Sequence, residues 1–309
     1  MKATATAHAN IALVKYWGKR DESLILPEAG SLSVALDKLL TTTTVTLGDF
    51  AEDSFTLDGR IEDPRRARAL LDAAGIRARA QIDSRNEFPT AAGLASSSSG
   101  FAALAAAACA AAGLERSEAE LSALARLGSG SAARSVPGGW AVWEGESARQ
   151  VFSPSHWDLR FCIAVCAAGS KHVGSRDGMR ATRETSPYHA AWIAQCRRDL
   201  PAALHLLSAR DLSGLGALAE RNALRMHADA LAADPPLLYW HPATVGCLLG
   251  IAELRAQGVE AWATIDAGPH LVAICSPEKA QAVEQRLRAV AGVTDVLVCA
   301  PAGAARVLP

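Results

Sequence analysis

The sequence predicts an α+β fold, because segments with strand patterns and segments with helix patterns follow one another without a regular βαβ repeat. Eight short runs of apolar and β-branched residues indicate strands, and seven longer segments indicate helices. The 309 residues suffice for one or two domains with a sizeable core. The segment from Ser153 to Asp158 is the predicted boundary between two halves, residues 1–158 and 159–309.

Helix ends are marked most clearly in two segments. Asp63 precedes a proline at the first helical position and Gly75 follows the last turn, which predicts a helix over Pro64–Ala74. Ser117 and Glu120 form a capping box that begins a helix over Glu118–Leu127. The other predicted helices are Phe101–Ala112, Pro187–Ala209, Leu212–Ala232, Thr244–Gln257 and Pro277–Val290. The predicted strands are Asn10–Val14, Thr41–Leu47, Gln81–Ser84, Trp140–Trp143, Phe161–Cys166, Ala261–Ile265, Leu271–Cys275 and Thr294–Cys299.

A loop of small residues, PTAAGLASSSSG from Pro89 to Gly100, precedes the apolar helix Phe101–Ala112. Serine and glycine enrichment alone is typical of a flexible linker. Here the segment leads directly into a helix that ends at Gly113, and a helix N-terminus with free N–H groups suits a phosphate. The chain contains neither GxxxxGK[ST] nor GxGxxG. The loop therefore predicts nucleotide binding by a motif other than these two.

Composition and charge favour a globular protein with a small anionic ligand. Half of the residues are hydrophobic, 20% are charged and the formal net charge is −1. This balance gives no overall attraction for nucleic acid or for an anionic membrane. Anion binding must then come from local clusters such as Lys15, Lys19 and Arg20.

The seven cysteines are an odd number without a CxxC pair, and several lie within apolar runs. We therefore expect buried free thiols rather than disulfides or metal ligands. The N-terminal residues lack the apolar core of a signal peptide, and the longest apolar run is far shorter than a bilayer span. These features predict a cytoplasmic protein without a membrane segment.

Five segments carry a family resemblance. The loop PTAAGLASSSSG resembles the phosphate-binding motif of the GHMP kinase superfamily. Four further segments resemble, in the same order, segments of the mevalonate diphosphate decarboxylase family: HANIALVKYWGKRD, LARLGSGSAARSVPGGWAVWE, LRMHADALAADPPLLY and TIDAGPH. Together they extend over most of the chain.

The resemblance implies a fold, an activity and cofactors. The fold would be that of GHMP kinases, with a ribosomal-S5-like N-terminal half and a ferredoxin-like C-terminal half around a central cleft. The activity would be the decarboxylation of mevalonate 5-diphosphate to isopentenyl diphosphate, with ATP and Mg²⁺ as cofactors and no protein-bound metal site. The family also implies a homodimer.

The resemblance assigns three catalytic residues. Asp266 would accept the proton of the substrate's 3-hydroxyl or orient that oxygen, Lys15 would lie beside Asp266 and the transferring phosphate, and Arg134 would bind the substrate carboxylate. Without the resemblance, the same three would be interpreted as a turn residue, a solvated strand edge and a surface arginine. His227 matches the family, but it has no partner at metal-ligand spacing, and we expect a structural role.

The resemblance also places binding residues. Those expected at the substrate are Tyr16, Lys19, Ser129, Ser131, Ser175 and Arg176. Ser175 and Arg176 belong to the segment GSKHVGSRDGM, Gly169–Met179, which resembles a loop of the family that approaches the diphosphate. Those expected at ATP are Pro89, Ala92, Gly93, Leu94, Ala95, Ser96 and Ser97, with Ser96 or Ser97 serving Mg²⁺ or the γ-phosphate.

Two departures from the family pattern leave the substrate open. Glu28, Ala29 and Gly30 stand where the family has Asn followed by Ser or Asn, and His270 replaces the Asn that follows DAGP. These changes predict an altered set of polar contacts near the substrate and near Asp266. Alternatives are a decarboxylase of mevalonate 5-phosphate or a related 3-hydroxy-acid phosphate, a GHMP kinase without decarboxylation, and a ligand-binding relative without turnover.

Overall fold

The structure, a computed structural model, describes residues 1–88, 96–166 and 173–309. Five of the predicted nucleotide-binding residues lie outside this part of the chain: Pro89, Ala92, Gly93, Leu94 and Ala95. The segment 167–172, which belongs to the loop predicted before Ser175, also lies outside it.

Strands and helices mix along the chain. The described strands are β1 (Lys2–Val14), β2 (Lys19–Asp21), β3 (Leu26–Pro27), β4 (Ser31–Gly48), β5 (Ser54–Leu57), β6 (Arg60–Glu62), β7 (Arg79–Asn86), β8 (Trp140–Trp143), β9 (Ala148–Phe152), β10 (Arg160–Cys166), β11 (Ala261–Ile265), β12 (Leu271–Cys275), β13 (Val293–Cys299) and β14 (Arg306–Val307). The described helices are α1 (Arg65–Ala73), α2 (Ser96–Ala111), α3 (Glu118–Gly128), α4 (Ala132–Ser135), α5 (Ser175–Thr185), α6 (His189–Ala209), α7 (Leu212–Leu231), α8 (Pro242–Ala256) and α9 (Ala280–Arg288). Short 3₁₀ turns occupy Pro154–His156 and Pro277–Lys279.

The N-terminal half is built on a sheet with the order β14-β1-β4-β7-β5-β6, and β8 joins β4 and β9 at its side. All pairings in this sheet are antiparallel except that of β5 with β7. Helix α2 packs on β1 and β4. Its alanine-rich sequence is buried on almost every side, because small side chains let the helix approach the sheet closely.

The C-terminal half contains an antiparallel sheet with the order β11-β12-β10-β13. One face of this sheet packs with α8 and α9 in a core of apolar residues and cysteines. A second core joins the two halves, since Leu13 and Leu32 of the N-terminal sheet belong to the same buried cluster as Phe161, Leu200 and Ile274. This shared core places the end of β1 next to the end of β11.

The α+β prediction is confirmed, and every predicted strand is present. Strands β1 and β4 are much longer than expected, with 13 and 18 residues, because the alternating alanines and threonines at the start of β1 pair with the run of threonines in β4. The division at residue 158 stays a prediction. Strand β14 lies in the second half of the sequence and pairs with β1 of the first.

Four helix predictions were wrong at their start by two residues or more. The helices predicted from Thr244 and Pro277 begin at Pro242 and Ala280. The apolar helix begins at Ser96 rather than Phe101, because the serines that suggested loop form its first turn. The helix expected over Pro187–Ala209 begins at His189, and α5 precedes it without having been predicted. The capping box of Ser117 and Glu120 is confirmed.

The seven cysteines are free and buried, which confirms the prediction from their sequence context. Among the described residues, no helix has both the length and the apolar character to cross a membrane.

Candidate active site

A cleft of about 480 Å³ receives residues from both halves of the chain. It lies where β1 and β11 end and where α2 and α5 begin. Every predicted site residue that the structure describes lines this cleft: Lys15, Tyr16, Lys19, Ser96, Ser97, Ser129, Ser131, Arg134, Ser175, Arg176 and Asp266.

Lys15 and Asp266 form an ion pair, with 2.5 Å between Lys15 Nζ and Asp266 Oδ1. Each residue directly follows a buried strand, Lys15 after β1 and Asp266 after β11. The Lys15 ammonium also donates to the carbonyl oxygen of Ala12 at 2.8 Å, and its backbone N–H donates to Asn222 Oδ1 at 2.8 Å. The strand ends and α7 thus fix the lysine at both its backbone and its side chain.

The pair differs in exposure, since the Lys15 side chain is 1% exposed and that of Asp266 is 34% exposed. Burial lowers the pKa of Lys15, the charge of Asp266 opposes this, and the nearby Arg134 lowers it further, so that the pKa lies below its ordinary value. The arrangement presents a reachable carboxylate with a buried cation behind it.

Arg134 is buried on α4 beside the cleft. Its Nη1 donates to Ser31 Oγ at 2.6 Å and its Nε donates to Asn10 Oδ1 at 3.2 Å. Asn10 is itself held by Ser135, to whose Oγ it donates at 2.7 Å. Burial lowers the pKa of Arg134 to about 10, so the guanidinium stays charged at neutral pH. Among the described residues, no carboxylate forms a salt bridge with Arg134, which leaves its charge available for an anion.

Tyr16 presents a phenol to the cleft. Its ring packs against Trp143, with 4.7 Å between ring centroids, and burial raises the pKa of the phenol above its ordinary value. The hydroxyl is buried, and it has no hydrogen-bond partner among the described residues. A Cβ atom on Gly130 would lie 2.8 Å from this hydroxyl, so the glycine makes room for it. An anionic ligand in the cleft would supply the missing acceptor.

A chain of hydroxyls connects two walls of the cleft. Ser97 Oγ lies 3.1 Å from Ser129 Oγ, which lies 3.3 Å from Ser131 Oγ. Ser97 belongs to the first turn of α2, where backbone N–H groups have no partner within the helix. Hydroxyls and a helix N-terminus at one place suit a phosphate.

Lys19 and the start of α5 complete the basic lining. Lys19 is almost fully buried, and its Nζ lies 2.5 Å from Glu22 Oε2. Ser175 and Arg176 open α5 after Gly174, rather than lying in a loop as predicted. The cleft therefore carries positive charge on several sides. Among the described residues, no group of three or more His, Cys, Asp or Glu side chains could hold a metal ion.

The interpretations of Lys15 and Arg134 as solvated surface residues were wrong, because both are buried and hydrogen-bonded. Sequence reasoning missed Arg66, which lines the cleft, donates to the carbonyl of Gly128 and lies over Phe101 at 4.7 Å. In the run DPRRAR it resembles any exposed helical arginine, so only the fold identifies it. Asn10 was also missed, although its place in the quoted segment HANIALVKYWGKRD was a usable signal.

His227 lies behind the ion pair without touching the cleft, as a structural role predicts. Its ring contacts Trp240, with 5.0 Å between centroids, and Tyr239 at 6.3 Å. Burial and the charge of Lys15 lower the pKa of His227 to about 4, so it is neutral at pH 7.

The two departures lie away from the reacting groups. His270 accepts a hydrogen bond from the backbone N–H of Cys166 at 3.0 Å and does not line the cleft. Among the described residues, His270 forms no hydrogen bond with Asp266, and the effect of this departure on the polar contacts near Asp266 stays a prediction. A Cβ atom on Gly30 would lie 2.5 Å from Leu200 and 2.8 Å from Glu144, so this position is closely packed.

Comparison with known proteins assigns a family to this geometry. A profile of the diphosphomevalonate decarboxylase-like N-terminal domain matches residues 7–153, and one of the mevalonate 5-diphosphate decarboxylase C-terminal domain matches residues 161–302. The chain belongs to the mevalonate diphosphate decarboxylase family. Human diphosphomevalonate decarboxylase is 38% identical over an alignment that covers 87% of this chain and 75% of the human protein. The enzyme from Candida albicans is 37% identical over an alignment that covers 87% of this chain and 83% of that protein.

Solved structures of this family have the same fold. Mevalonate diphosphate decarboxylase from Staphylococcus aureus superposes with a TM-score of 0.94 at 36% identity, over 100% of this chain and 98% of that one. A structure of MDDEF in complex with MVAPP, AMPPCP and magnesium superposes with a TM-score of 0.93 at 35% identity, over 100% and 99% of the two chains. The predicted GHMP kinase fold is confirmed.

Proposed function

We propose that this chain catalyses the ATP-dependent decarboxylation of mevalonate 5-diphosphate, releasing isopentenyl diphosphate, ADP, phosphate and CO₂. The observation that carries the proposal is that the Lys15–Asp266 ion pair shares one cleft with the buried Arg134, which forms no salt bridge with a carboxylate in the described part of the chain. The reaction needs a base or orienting group at the substrate hydroxyl, a cation near the transferring phosphate and a cation that binds the substrate carboxylate. Asp266, Lys15 and Arg134 supply these three groups in that order.

The first step is transfer of a phosphoryl group to the 3-hydroxyl. Asp266, paired with Lys15, accepts the hydroxyl proton or orients the oxygen for its attack on the γ-phosphorus, and the bond to the ADP oxygen breaks. The Lys15 ammonium offsets the negative charge that develops there. A tertiary hydroxyl is a poor leaving group, and phosphorylation converts it into a good one.

The second step is elimination. The C3–O bond breaks with its electron pair going to phosphate, and the bond between C2 and the carboxyl carbon supplies the electrons of the new C2=C3 bond as CO₂ departs. Arg134 holds the carboxylate with two parallel hydrogen bonds until the C–C bond breaks. Its own bonds to Ser31 and Asn10 keep the guanidinium plane fixed. The atoms and charges balance without a redox cofactor.

The described end of the nucleotide site fits a phosphate. Ser96 and Ser97 at the start of α2, linked to Ser129, would hold the phosphates of ATP, and Ser96 or Ser97 would also serve Mg²⁺. Mg²⁺-bound ATP supplies the phosphoryl group. The proposed role of Pro89 and of Ala92–Ala95 at ATP rests on the family resemblance alone.

The substrate diphosphate is assigned to the basic side of the cleft. Tyr16 with its free hydroxyl, Lys19, and Ser175 and Arg176 at the start of α5 would bind it, together with Ser129 and Ser131. A diphosphate would compete with Glu22 for Lys19. The number of cationic and hydroxyl groups favours a diphosphate over the monophosphate alternative.

A plain kinase of the same fold is the alternative of a different reaction class. A kinase needs the groups for phosphoryl transfer but no group for a carboxylate. Arg134 is held in the cleft by two hydrogen bonds and lacks a carboxylate partner among the described residues, which favours decarboxylation. The resemblance further predicts a homodimer, and the cysteine context and N-terminal sequence predict a cytoplasmic location.

Incubating the purified chain with ATP, Mg²⁺ and mevalonate 5-diphosphate, in parallel with mevalonate 5-phosphate, tests the proposal. Mass spectrometry of the products should identify isopentenyl diphosphate from the first substrate and little turnover of the second. A phosphorylated product that retains the carboxylate would identify a kinase. Absence of both ADP and product would favour a binding protein.

A further inference from the structure

A buried histidine lies between two carboxylates behind the substrate side of the cleft. His189, at the start of α6, has its Nδ1 at 2.8 Å from Asp229 Oδ2 of α7 and its Nε2 at 3.2 Å from Glu28 Oε2, just after β3. The side chains of His189 and Asp229 are 8% and 1% exposed, and that of Glu28 is 27% exposed. None of the three residues lines the cleft.

The cluster adjoins the segment that carries the substrate residues. A Cβ atom on Gly18 would lie 3.2 Å from both Glu28 Oε2 and the His189 ring, so the backbone between Trp17 and Lys19 passes directly over the pair. The backbone N–H of Glu28 donates to the carbonyl of Gly18 at 3.2 Å. Displacement of Glu28 would therefore displace the backbone that positions Lys19.

Helix α6 contacts the same segment one turn later. Trp192 donates from its Nε1 to the backbone carbonyl of Trp17 at 2.9 Å. His189 and Trp192 thus attach the first turn of α6 to the residues between Tyr16 and Lys19. These contacts connect α6 to the side of the cleft assigned to the diphosphate.

The partners of His189 require its protonated form. Carboxylate oxygens only accept hydrogen bonds, so both ring nitrogens must carry hydrogen to satisfy Asp229 and Glu28 together. A neutral ring would set one nitrogen lone pair against a carboxylate. The other charged group at the cluster is Arg183 of α5, whose Nε lies 4.0 Å from Glu28 Oε2. The second carboxylate oxygen of Asp229, Oδ1, is buried and has no hydrogen-bond partner among the described residues.

We infer that His189 is a positioning residue: as an imidazolium between Glu28 and Asp229 it holds the Tyr16–Lys19 segment in place, and its deprotonation weakens substrate binding. The inference rests on the proposed function for the identity of the substrate. His189 itself touches neither substrate nor nucleotide. Its effect should therefore appear in the KM for the substrate rather than in kcat.

The expected pH dependence follows from the balance at the histidine. Burial opposes the charged ring, but the hydrogen bonds and charges of Asp229 and Glu28 outweigh it, so that the pKa of His189 is raised above its ordinary value. The bridge that the His189 imidazolium forms between Glu28 and Asp229 is complete below the ordinary histidine pKa of about 6.5. It is lost as the pH rises through the raised pKa of the folded protein. The KM should rise in the same window.

The experiment compares the pH profiles of KM and kcat for wild type, His189→Gln and Glu28→Gln with mevalonate 5-diphosphate and saturating Mg²⁺-ATP. In wild type the KM should rise about three- to tenfold as the pH passes through the pKa of His189. The KM is inversely proportional to the fraction of molecules in which the Tyr16–Lys19 segment stays in place. His189→Gln should have the high KM at low pH and lack this transition, with kcat within about twofold. Since the substrate's own ionisation affects all variants equally, the difference between profiles is decisive. His205→Gln, an exposed histidine of the same helix, is the matched control.

Parallel KM profiles in wild type and His189→Gln would overturn the inference, as would a loss confined to kcat. If His189→Gln does not fold, Glu28→Gln decides the question, because it changes a partly exposed side chain and should raise the KM at low pH. A substrate-free readout separates this inference from the proposed function. In wild type, the pKa of the His189 imidazole, measured by NMR, should lie above the ordinary histidine value. A pKa below that value would refute the bridge between Glu28 and Asp229, whatever the enzyme's substrate.

Discussion

Lys15 Nζ lies 2.5 Å from Asp266 Oδ1, although the two residues are 251 positions apart in the chain. Each stands at the end of a buried strand, one from each half of the sequence. The core that joins the halves brings these strand ends together. Folding thereby creates a short ion pair whose carboxylate faces the cleft.

Asp266→Asn should lower kcat by about 10²- to 10⁴-fold, because an amide neither accepts the hydroxyl proton nor carries the charge that orients the oxygen. ATP binding, measured by equilibrium titration, should change little. Asp295→Asn, which removes a half-exposed carboxylate of β13, serves as the control. Near-normal turnover of Asp266→Asn would remove this residue from the chemistry.

Lys15 should impose an alkaline limit on activity. Because its pKa is lowered by burial, kcat should fall as the pH rises through a value below the ordinary lysine pKa of about 10.4. Lys15→Arg, whose guanidinium stays charged over this pH range, should be slower than wild type, but its kcat should not fall at alkaline pH. The measurement is kcat against pH at saturating substrates. An unchanged alkaline limb in Lys15→Arg would assign it to another group.

Arg134→Lys should lower kcat/KM by about 10- to 100-fold, the loss expected when a forked, charge-assisted contact becomes a single one. The bonds to Ser31 and Asn10 would also be lost. Steady-state kinetics with Arg149→Lys as an exposed control would measure the effect. Wild-type kinetics in Arg134→Lys would exclude Arg134 as the carboxylate ligand.

Gly30→Ser introduces a side chain at a position where the family carries one, but it should destabilise this chain. The new Cβ would overlap Leu200 and the side chain of Glu144, and forced repacking costs about 1–3 kcal/mol in the free energy of unfolding. Gly145→Ser adds the same atoms where a Cβ meets nothing within 4 Å. Urea denaturation should separate the two variants, and equal stabilities would contradict the packing at Gly30.

Much of the fold follows from local sequence. Short apolar strands such as β11 and β12 and the capping box before α3 carry their own signals, since apolar runs and caps act within a few residues. Helix α5 was missed because its sequence SRDGMRATRET is polar and includes a glycine, and its burial depends on neighbouring helices. Strand β14 has two residues and forms only by pairing with β1.

The site residues that could be predicted from the sequence are those that the family resemblance supplied. The others could not be predicted. Burial of Lys15 and Arg134 depends on contacts across more than one hundred residues, such as Arg134 with Asn10. No local pattern encodes these contacts, so charged side chains appear solvated in the sequence alone. Arg66 and the cluster around His189 arise in the same way.

The ratio of CO₂ to ADP released from mevalonate 5-diphosphate tests the central claim most directly. If Asp266, Lys15 and Arg134 act on one bound substrate, phosphoryl transfer and decarboxylation are coupled, and the two products should appear at equal rates from the first turnover. ADP released in excess of CO₂, with a phosphorylated acid accumulating, would contradict the account.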